Sequence, residues 1–556
     1  MAGARDTEKA VDGLDVGAVT AQVNQDLGHD LLAEAKDATE QEHQMSVIQA
    51  IKLYPKAVGW SFVLSLAIVM DGYDLILMGN FFAFPTFVQK YGKLQPNGSY
   101  QIPAAWQAGL ANGARAGEIL GLFATGVLSE RFGYRKTMLA ALFALTGFIF
   151  VLFFSKNIIM LEVGEVLCGI NWGVFQALTT TYAAEVCPVA LRGYLTTYVN
   201  LCWVFGQFIA SGILRGMLSR ADEWSYRIPF ALQWMWPVPI AVGVFLAPES
   251  PWWLVRKGRN EEAGNSLRRL TRKNDPNFNV ERTVAMMVHT NEIEKHMSES
   301  TSYWDCFRKT NLRRTEISCL VWAIQVLCGT GLMTYSTYFY KQAGLPTTQS
   351  FNMTLAQYGI GIVGTLGSWF LMTRFGRRTL YLAGLVIMDV LLLAIGIASV
   401  AAPASTRASW AIGSLLLVFI FVYDTTLGPV TYSLVSEIPS TRLRSKTIVC
   451  ARNLYLLCSI INGVITPYML NPTAWNWGAK TGFFWAGSCS LCLLWAYFRL
   501  PEPKGRTYGE IDDLFERRIS ARKFKETKTN LFGSEIDEYD EAKATVETLE
   551  TTRKSN

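Results

Sequence analysis

Residues 248–259 read PESPWWLVRKGR, and this stretch decides how the chain is divided. It closes one long apolar region and opens the only long polar stretch before a second one. A shortened copy, PEPKGR at 501–506, closes the second region 253 residues later. Two further pairs repeat at a similar distance. EVCPVALR at 185–192 returns as EIPSTRLR at 437–444, offset by 252, and RFGYR at 131–135 returns as RFGRR at 374–378, offset by 243. Three motifs met twice in one order mark an internal duplication. The chain is two similar halves joined at Pro248.

Composition places both halves in a membrane. Of 556 residues, 50% are hydrophobic and 17% charged, against the roughly 25% charged residues of a soluble chain. The charges are segregated, which leaves apolar runs near the ~20 residues that a membrane helix needs. Twelve runs stand out, near 57–86, 105–128, 137–155, 158–185, 197–218, 228–247, 317–340, 354–372, 379–401, 409–435, 447–470 and 481–500. Six precede the polar segment 248–316 and six follow it, so an all-α membrane protein of twelve transmembrane helices is expected. A large soluble enzyme with buried helices does not fit this segregation. The net charge of +6 resides in short loops between runs, so no nucleic-acid site is read from it. No nucleophile–base pair or phosphate loop is present, so no enzymatic role is expected.

Residues 1–50 hold ten acidic and three basic residues and no apolar core, which excludes a cleaved secretory signal of the usual pattern. Residues 516–556 are polar and of mixed charge, and both tails are expected to be disordered. The ten cysteines lie mostly in apolar runs without a disulfide framework. Cys489 and Cys492 form a C-x-x-C inside an apolar helix and read as packing residues. No metal or cofactor is expected.

Basic residues orient the chain. Arg131, Arg135 and Lys136 lie between runs two and three, and Arg192 between four and five. Arg374, Arg377 and Arg378 lie between eight and nine, and Arg442, Arg444 and Lys446 between ten and eleven. These loops, the central segment and both tails share one side, which the positive-inside rule makes cytoplasmic. An opposite loop carries the glycosylation sequon Asn97-Gly98-Ser99. The expected organisation is a disordered cytoplasmic tail over 1–54, a six-helix bundle over 55–250, a cytoplasmic helical linker over 251–315, a second bundle over 316–500 and a cytoplasmic tail over 501–556. Within the linker, Glu261–Leu270 and Val280–His296 have helical charge spacing, and Trp252 and Trp253 read as interfacial anchors.

Ionisable residues inside apolar runs are informative, because each costs roughly 2.5–3.5 kcal/mol at a membrane-helix centre. Asp71 and Asp74 stand three residues apart in run one and share a helical face. Glu118 lies in run two, Glu165 in run four and Arg452 in run eleven, where a lone cation needs a carboxylate partner. Asp389 and Asp424 lie in or near apolar runs and rank lower.

RFGYRK, YAAEVCPVALRG and PESPWWLVRKGR, with their second-half copies, resemble the sugar porter branch of the major facilitator superfamily over roughly 55–515. PESPWW, EIPSTRLRSKT and NPTAWNWGAKTGFFWAG (471–487) are similar to the fungal maltose and α-glucoside permeases within it. The resemblance implies two pseudo-symmetric six-helix bundles around a central cavity that alternates between faces. It implies a cytoplasmic latch of helix-end charges, carried here by Glu130, Arg131, Glu185, Arg192, Arg374, Glu437 and Arg444. Glu130 keeps the charge of the family's Asp, while Thr373 stands where the second copy has Asp and weakens that half.

Asp74 matches the family's proton-coupling G-Y-D aspartate. A carboxyl in a low-dielectric cavity favours its neutral form and so can load and release protons. The arginine that often pairs with it in run four is absent, the position reading Gly164-Glu165, so the expected network is Asp71, Asp74, Glu118 and Glu165 with Arg452 balancing part of the charge.

A sugar needs neutral hydrogen-bonding groups and an aromatic face. The resemblance offers Asn200 and Gln207 on one face of run five, Gln325 in run seven, and Tyr423 and Tyr432 beside the Gly428-Pro429 kink of run ten, with Trp172 and Gln176 as further candidates. Val326 and Gly331 replace a Gln and an Asn that grip hexoses in relatives, and Gly331 leaves room for a larger ligand. The expected activity is α-glucoside (maltose-type disaccharide):proton symport at the plasma membrane by a monomeric multi-pass carrier with both termini cytoplasmic. Its partners are the sugar, protons and the lipid bilayer, with no nucleic acid. A facilitator for hexoses or another oligosaccharide is the alternative. A non-transporting sugar sensor is a second, although only about 40 residues follow Phe515 for signalling.

Overall fold

The computed structural model describes residues 34–35, 37–39, 41, 45–96, 98–272, 278–299, 302–401, 405–440, 443–504, 506, 511 and 514–527. The sequon Asn97 and the tail segments 1–33 and 528–556 lie outside them. Twelve long helices form two halves. The first holds α1 (Pro55–Phe81), α2 (Ala104–Phe132), α3 (Tyr134–Phe153), α4 (Ile158–Val186), α5 (Val189–Met217) and α6 (Trp224–Leu246). The second holds α7 (309–342, in three pieces), α8 (Thr347–Arg374), α9 (Arg377–Ala401), α10 (Thr406–Glu437), α11 (Arg444–Leu470) and α12 (Thr481–Arg499).

By length and composition nine of these, among the described residues, can cross a membrane; α2, α5 and α7 fall short. Those three carry polar residues into the central cavity: Arg115 and Glu118 on α2, Asn200 and Gln207 on α5, Gln325 and Thr330 on α7. Large apolar side chains such as Phe143 (85% exposed) and Leu491 (70% exposed) cover the outer surface. In water such a surface would be a liability; in lipid it matches its solvent.

The sequence repeat has a structural counterpart. Glu249 accepts the backbone N–H groups of Tyr134 (3.0 Å) and Arg135 (3.3 Å), closing the N-terminus of α3. Arg135 donates to the carbonyls of Val244 (3.3 Å) and Phe245, closing the C-terminus of α6. In the second half Glu502 accepts from the N–H groups of Arg377 (2.8 Å) and Arg378 (3.1 Å), and Arg378 donates to the carbonyls of Leu500 (2.8 Å) and Tyr497 (2.7 Å). An anion at a helix N-terminus and a cation at a C-terminus each offset the helix dipole and satisfy groups that the helix leaves open.

α2 and α4 pack at backbone distance. A Cβ at Gly121 would run into the Ile170 carbonyl, and one at Gly173 into the Glu118 carbonyl. Small residues permit this approach in membrane helices, and it brings Glu118 beside the face of α4 that carries Gln176. α7 breaks at Gly329 (φ +100) and α10 at Thr426, beside Gly428-Pro429. Irregular backbone at membrane depth is tolerated where it borders a cavity, and both breaks do: Thr330 and Gln325 line it, and Gln325 Nε2 donates to the Gly428 carbonyl at 3.1 Å.

Three expectations are corrected. Residues 45–54 are not disordered: Ser46 and Gln49 form a capping box that starts the helix Val47–Leu53, and Tyr54 meets Phe278 edge-on at 5.7 Å. The early C-terminal tail also packs, with Phe515 and Phe524 buried against Arg313, whose guanidinium lies 5.2 and 5.7 Å from their rings. Trp253 is no interfacial anchor, because it is 6% exposed and donates to the Glu130 carbonyl at 3.1 Å. The polar segment between the halves forms the helices Pro251–Arg256, Asn260–Leu270 and Val280–Glu299.

Candidate functional site

A cavity of about 190 Å³ lies between the halves. Asp71, Glu118, Gln176, Asn200 and Gln207 face it from the first half, and Gln325, Tyr423, Tyr432, Arg452 and Asn462 from the second. Neutral amides and aromatic rings thus share one space with the carboxylates of Asp71, Glu118 and Asp424 and the guanidiniums of Arg115 and Arg452. Asn200 brings an Nδ2 without a hydrogen-bond partner among the described residues. Tyr432 packs edge-on against Trp322 with ring centres 6.0 Å apart, which fixes its ring at the wall.

The two aspartates of α1 do different things. Asp71 Oδ2 accepts from Gln176 Nε2 (2.9 Å) and Trp203 Nε1 (2.8 Å) and lines the cavity. Asp74 lies deeper. Its Oδ2 accepts from Trp172 Nε1 (2.9 Å) and its Oδ1 from Gln233 Nε2 (2.5 Å). A small side chamber is lined by Asp74, Glu165 and Trp172, and Asp71, Arg115 and Glu118 border both it and the central cavity. Glu165 is 1% exposed, and its Oε1 has no hydrogen-bond partner among the described residues.

Among the described ion pairs, Arg452 has no direct carboxylate partner. It donates to Gln176 Oε1 at 2.8 Å and lies over the rings of Tyr455 (4.8 Å) and Trp322 (5.4 Å). Glu118 lines the same cavity as Arg115 and Arg452. The expectation of a direct carboxylate partner is therefore replaced by a relay through an amide. Two sugar candidates shift as well. Trp172 is 1% exposed, outside the lining of the central cavity, with its N–H engaged by Asp74. Gln176 faces the cavity, but both ends of its amide are occupied.

The space expected beside Gly331 is filled. A Cβ there would lie 2.6 Å from Thr466 Oγ1 and closer still to Asn462 Oδ1. Asn462 of α11 thus supplies an amide where the resemblance implied a loss. Arg115, Trp203, Gln233 and Asn462 are among the residues around these spaces that the sequence reading missed. Arg115 had a signal, since it precedes Glu118 by one helical turn.

A family model for sugar (and other) transporters matches residues 60–515. The chain belongs to the sugar transporter family. Maltose permease MAL61 of Saccharomyces cerevisiae is 46% identical over 515 residues, covering 92% of this chain and 84% of the permease. The Alpha-glucosides permease MPH3 of the same species is 46% identical over 510 residues, covering 90% and 84%, and its General alpha-glucoside permease is 44% identical over 512, covering 91% and 83%. Among solved structures, the inward-open xylose transporter XylE from E. coli superposes with a TM-score of 0.65 at 20% identity, over 82% of this chain and 99% of XylE. XylE bound to 6-bromo-6-deoxy-D-glucose gives 0.66 at 20% identity, over 83% and 99%. This sugar transporter has the major facilitator fold and is a multi-pass membrane protein.

The halves of the transporter are tied together toward the face opposite Tyr54 and Leu500. Thr337 donates to Asn80 (2.7 Å), Arg215 to Asn352 (2.5 Å), Asn471 to the Ile102 carbonyl (2.8 Å) and Gln101 to Tyr338. On the face that carries both tails, the helix-end charges pair within each half. Glu185 accepts from Arg256 (2.8 Å), Tyr134 (2.9 Å) and Ser250. Glu130 meets Lys257 (2.9 Å), and Glu437 meets Arg377 (3.2 Å). Among the described ion pairs the cations at these three carboxylates are Arg256, Lys257 and Arg377. Arg131 lies over Phe132 (5.3 Å) and Arg374 over Phe370 (4.3 Å), Arg444 is half-buried, and the Arg192 side chain lies outside the described residues.

Proposed function

We propose that this sugar transporter carries α-glucosides of the maltose type together with protons across the plasma membrane. The observation that carries the substrate class is the 46% identity to a maltose permease over 92% of the chain. The site agrees in kind. Asn200, Gln207, Gln325 and Asn462 offer neutral donors and acceptors to hydroxyls, and Tyr423 and Tyr432 offer ring faces to the C–H surfaces of a sugar.

Proton coupling belongs to the carboxylates beside that site. Taking a charged carboxylate out of water is costly unless it is paired or neutralised. Asp71, Asp74, Glu118 and Glu165 lie together in buried positions, with Arg115 and Arg452 as the cations of the two spaces they line. A proton that neutralises part of this cluster lets the halves close over a dry, sugar-filled cavity; its departure on the other side recharges the cluster and reopens the carrier. Asp71 and Glu118 both face the cavity, and they are the members of the cluster that an incoming proton reaches from it. The bonds around Asn80, Gln101 and Arg215 close the outer face, and the pairs at Glu130, Glu185 and Glu437 hold the cytoplasmic helix ends in register. The tails are cytoplasmic, and the carrier acts as a monomer.

Uptake of labelled maltose in cells that lack their own sugar carriers tests this reading. Accumulation that collapses with a protonophore and is competed by other α-glucosides, but weakly by glucose, is expected. Uptake that only equilibrates would make the chain a facilitator, and no uptake despite surface expression would reject maltose as its substrate.

A further inference from the structure

Gln176 occupies a position that sugar contact does not explain. It is 8% exposed, on α4, with one amide end on Asp71 of α1 and the other on Arg452 of α11. The amide orientation is dictated by chemistry: a carboxylate requires the N–H end and a guanidinium requires the oxygen. The result is a continuous chain from carboxylate to amide to guanidinium, and it crosses from the first half of the protein to the second. Of the described hydrogen bonds joining the halves, it is the one nearest the face that carries the tails.

Arg452 also stands at a boundary. It lines the central cavity and, with Asn453, a second space of about 240 Å³ toward the tail-bearing face, walled by Leu122, Phe123 and Leu178. The exposed surface of that second space is mostly apolar. Arg452 is thus part of the floor of the central cavity, and Gln176 holds it there.

We propose that Gln176 is a positioning residue that relays the proton occupancy of Asp71 to the floor formed by Arg452. With Asp71 ionised, the carboxylate grips the amide N–H through a charge-assisted bond, and polarisation along the chain strengthens the bond from Arg452. The floor is then held and the halves are tied. With Asp71 neutral, that grip weakens, the amide is released, and Arg452 can swing away as the halves part. The charged groups around Asp71 are Asp74 on its own helix, Arg115 and Glu118 on α2, Glu165 on α4 and Arg452 on α11. Across the cavity stand Asp424, Tyr423 and Tyr432 on α10, Tyr358 on α8 and Tyr455 on α11; α5 presents Trp203 and Asn200, which do not titrate. Gln176 is the member of this set that touches both Asp71 and Arg452. The relay rests on the symport reading above.

The test uses the full chain in proteoliposomes, with two readouts: labelled maltose accumulation driven by an imposed proton gradient, and maltose exchange at equal pH on both sides. Gln176→Leu removes both bonds. Exchange is expected to persist with KM within about threefold of wild type, while gradient-driven accumulation falls by roughly tenfold or more, within the 5–150-fold that a coupling free energy between two sites carries. Should Gln176→Leu fail to fold, Gln176→Asn carries the same test, because it keeps the amide and is one methylene too short to span. Undiminished accumulation in the variant, or a raised KM with accumulation intact, would overturn the relay, the latter by making Gln176 a sugar ligand. Wild-type exchange without accumulation would overturn the symport reading and the relay with it, whereas accumulation in wild type and variant alike would overturn the relay alone.

Discussion

Glu249 and Glu502, 253 residues apart, occupy the same place in the two halves: each carboxylate accepts two backbone N–H groups at the start of a helix, Tyr134 and Arg135 in one case and Arg377 and Arg378 in the other. The loop after the sixth helix of each half is thereby pinned to the start of its third. Glu249→Ala and Glu502→Ala should each cost about 1–3 kcal/mol, the penalty of leaving buried donors unpaired. The sites share no partner, so the losses should add in the double variant. Thermal unfolding of the detergent-purified transporter measures this; an unchanged midpoint in either variant would show that the clamp contributes nothing.

Glu249 also gives stability a pH dependence. Burial raises its carboxyl above the usual carboxylate range, against the backbone N–H bonds of Ser250, Arg135 and Tyr134 that favour the charged form. A raised value means that the folded protein binds this proton more tightly than the unfolded chain. Its contribution is fully present below the unfolded value and is lost as pH rises through the raised folded value. As pH rises from the unfolded carboxylate value through the raised folded value, the wild type should lose thermal stability more steeply than Glu249→Gln. Equal slopes would contradict this.

Asn462 fills the place beside Gly331 and faces the central cavity. Asn462→Ala should raise the KM for maltose by about tenfold, the loss of one or two hydrogen bonds, and leave the ratio of protons to sugar unchanged. Gly331→Ala should instead lower the yield of folded transporter, because its Cβ has no space between Asn462 and Thr466. Transport kinetics beside fluorescence-detected gel filtration separate the two; an Asn462→Ala variant with wild-type KM would remove this residue from the site.

Glu185 and Arg256 form an ion pair largely withdrawn from solvent, with side chains 14% and 28% exposed. Removing one partner of such a pair costs more than the pair contributes, since the other is left unpaired. Glu185→Gln and Arg256→Met should each reduce stability, and the double variant should recover part of the loss. Strict additivity would mean that the two residues act independently.

The architecture was legible because its causes are local. Apolar runs, loop cations and a motif triplet met twice need no tertiary information, and they yield twelve helices in two halves. The pairing of charges was less legible. Arg131 and Arg374 carry the motif, but Arg256 and Arg377 reach Glu185 and Glu437, because side-chain reach depends on how loop and helix pack. The acidic cluster was visible as ionisable residues in apolar runs, yet the division of labour between Asp71 and Asp74 was not. One helical turn separates them, and only the packing of α4, α5 and α6 decides that Gln176 and Trp203 serve one while Trp172 and Gln233 serve the other. Asn462 was hidden for the same reason: it replaces from α11 what α7 lacks.

The most direct test of coupled transport is proton entry on adding maltose. Carrier-deficient cells expressing the chain, suspended in weakly buffered medium, should alkalinise that medium when maltose is added, and cells expressing Asp71→Asn should not. Maltose entry without alkalinisation in the wild type would contradict coupled transport, and alkalinisation undiminished in Asp71→Asn would remove that carboxylate from the proton path.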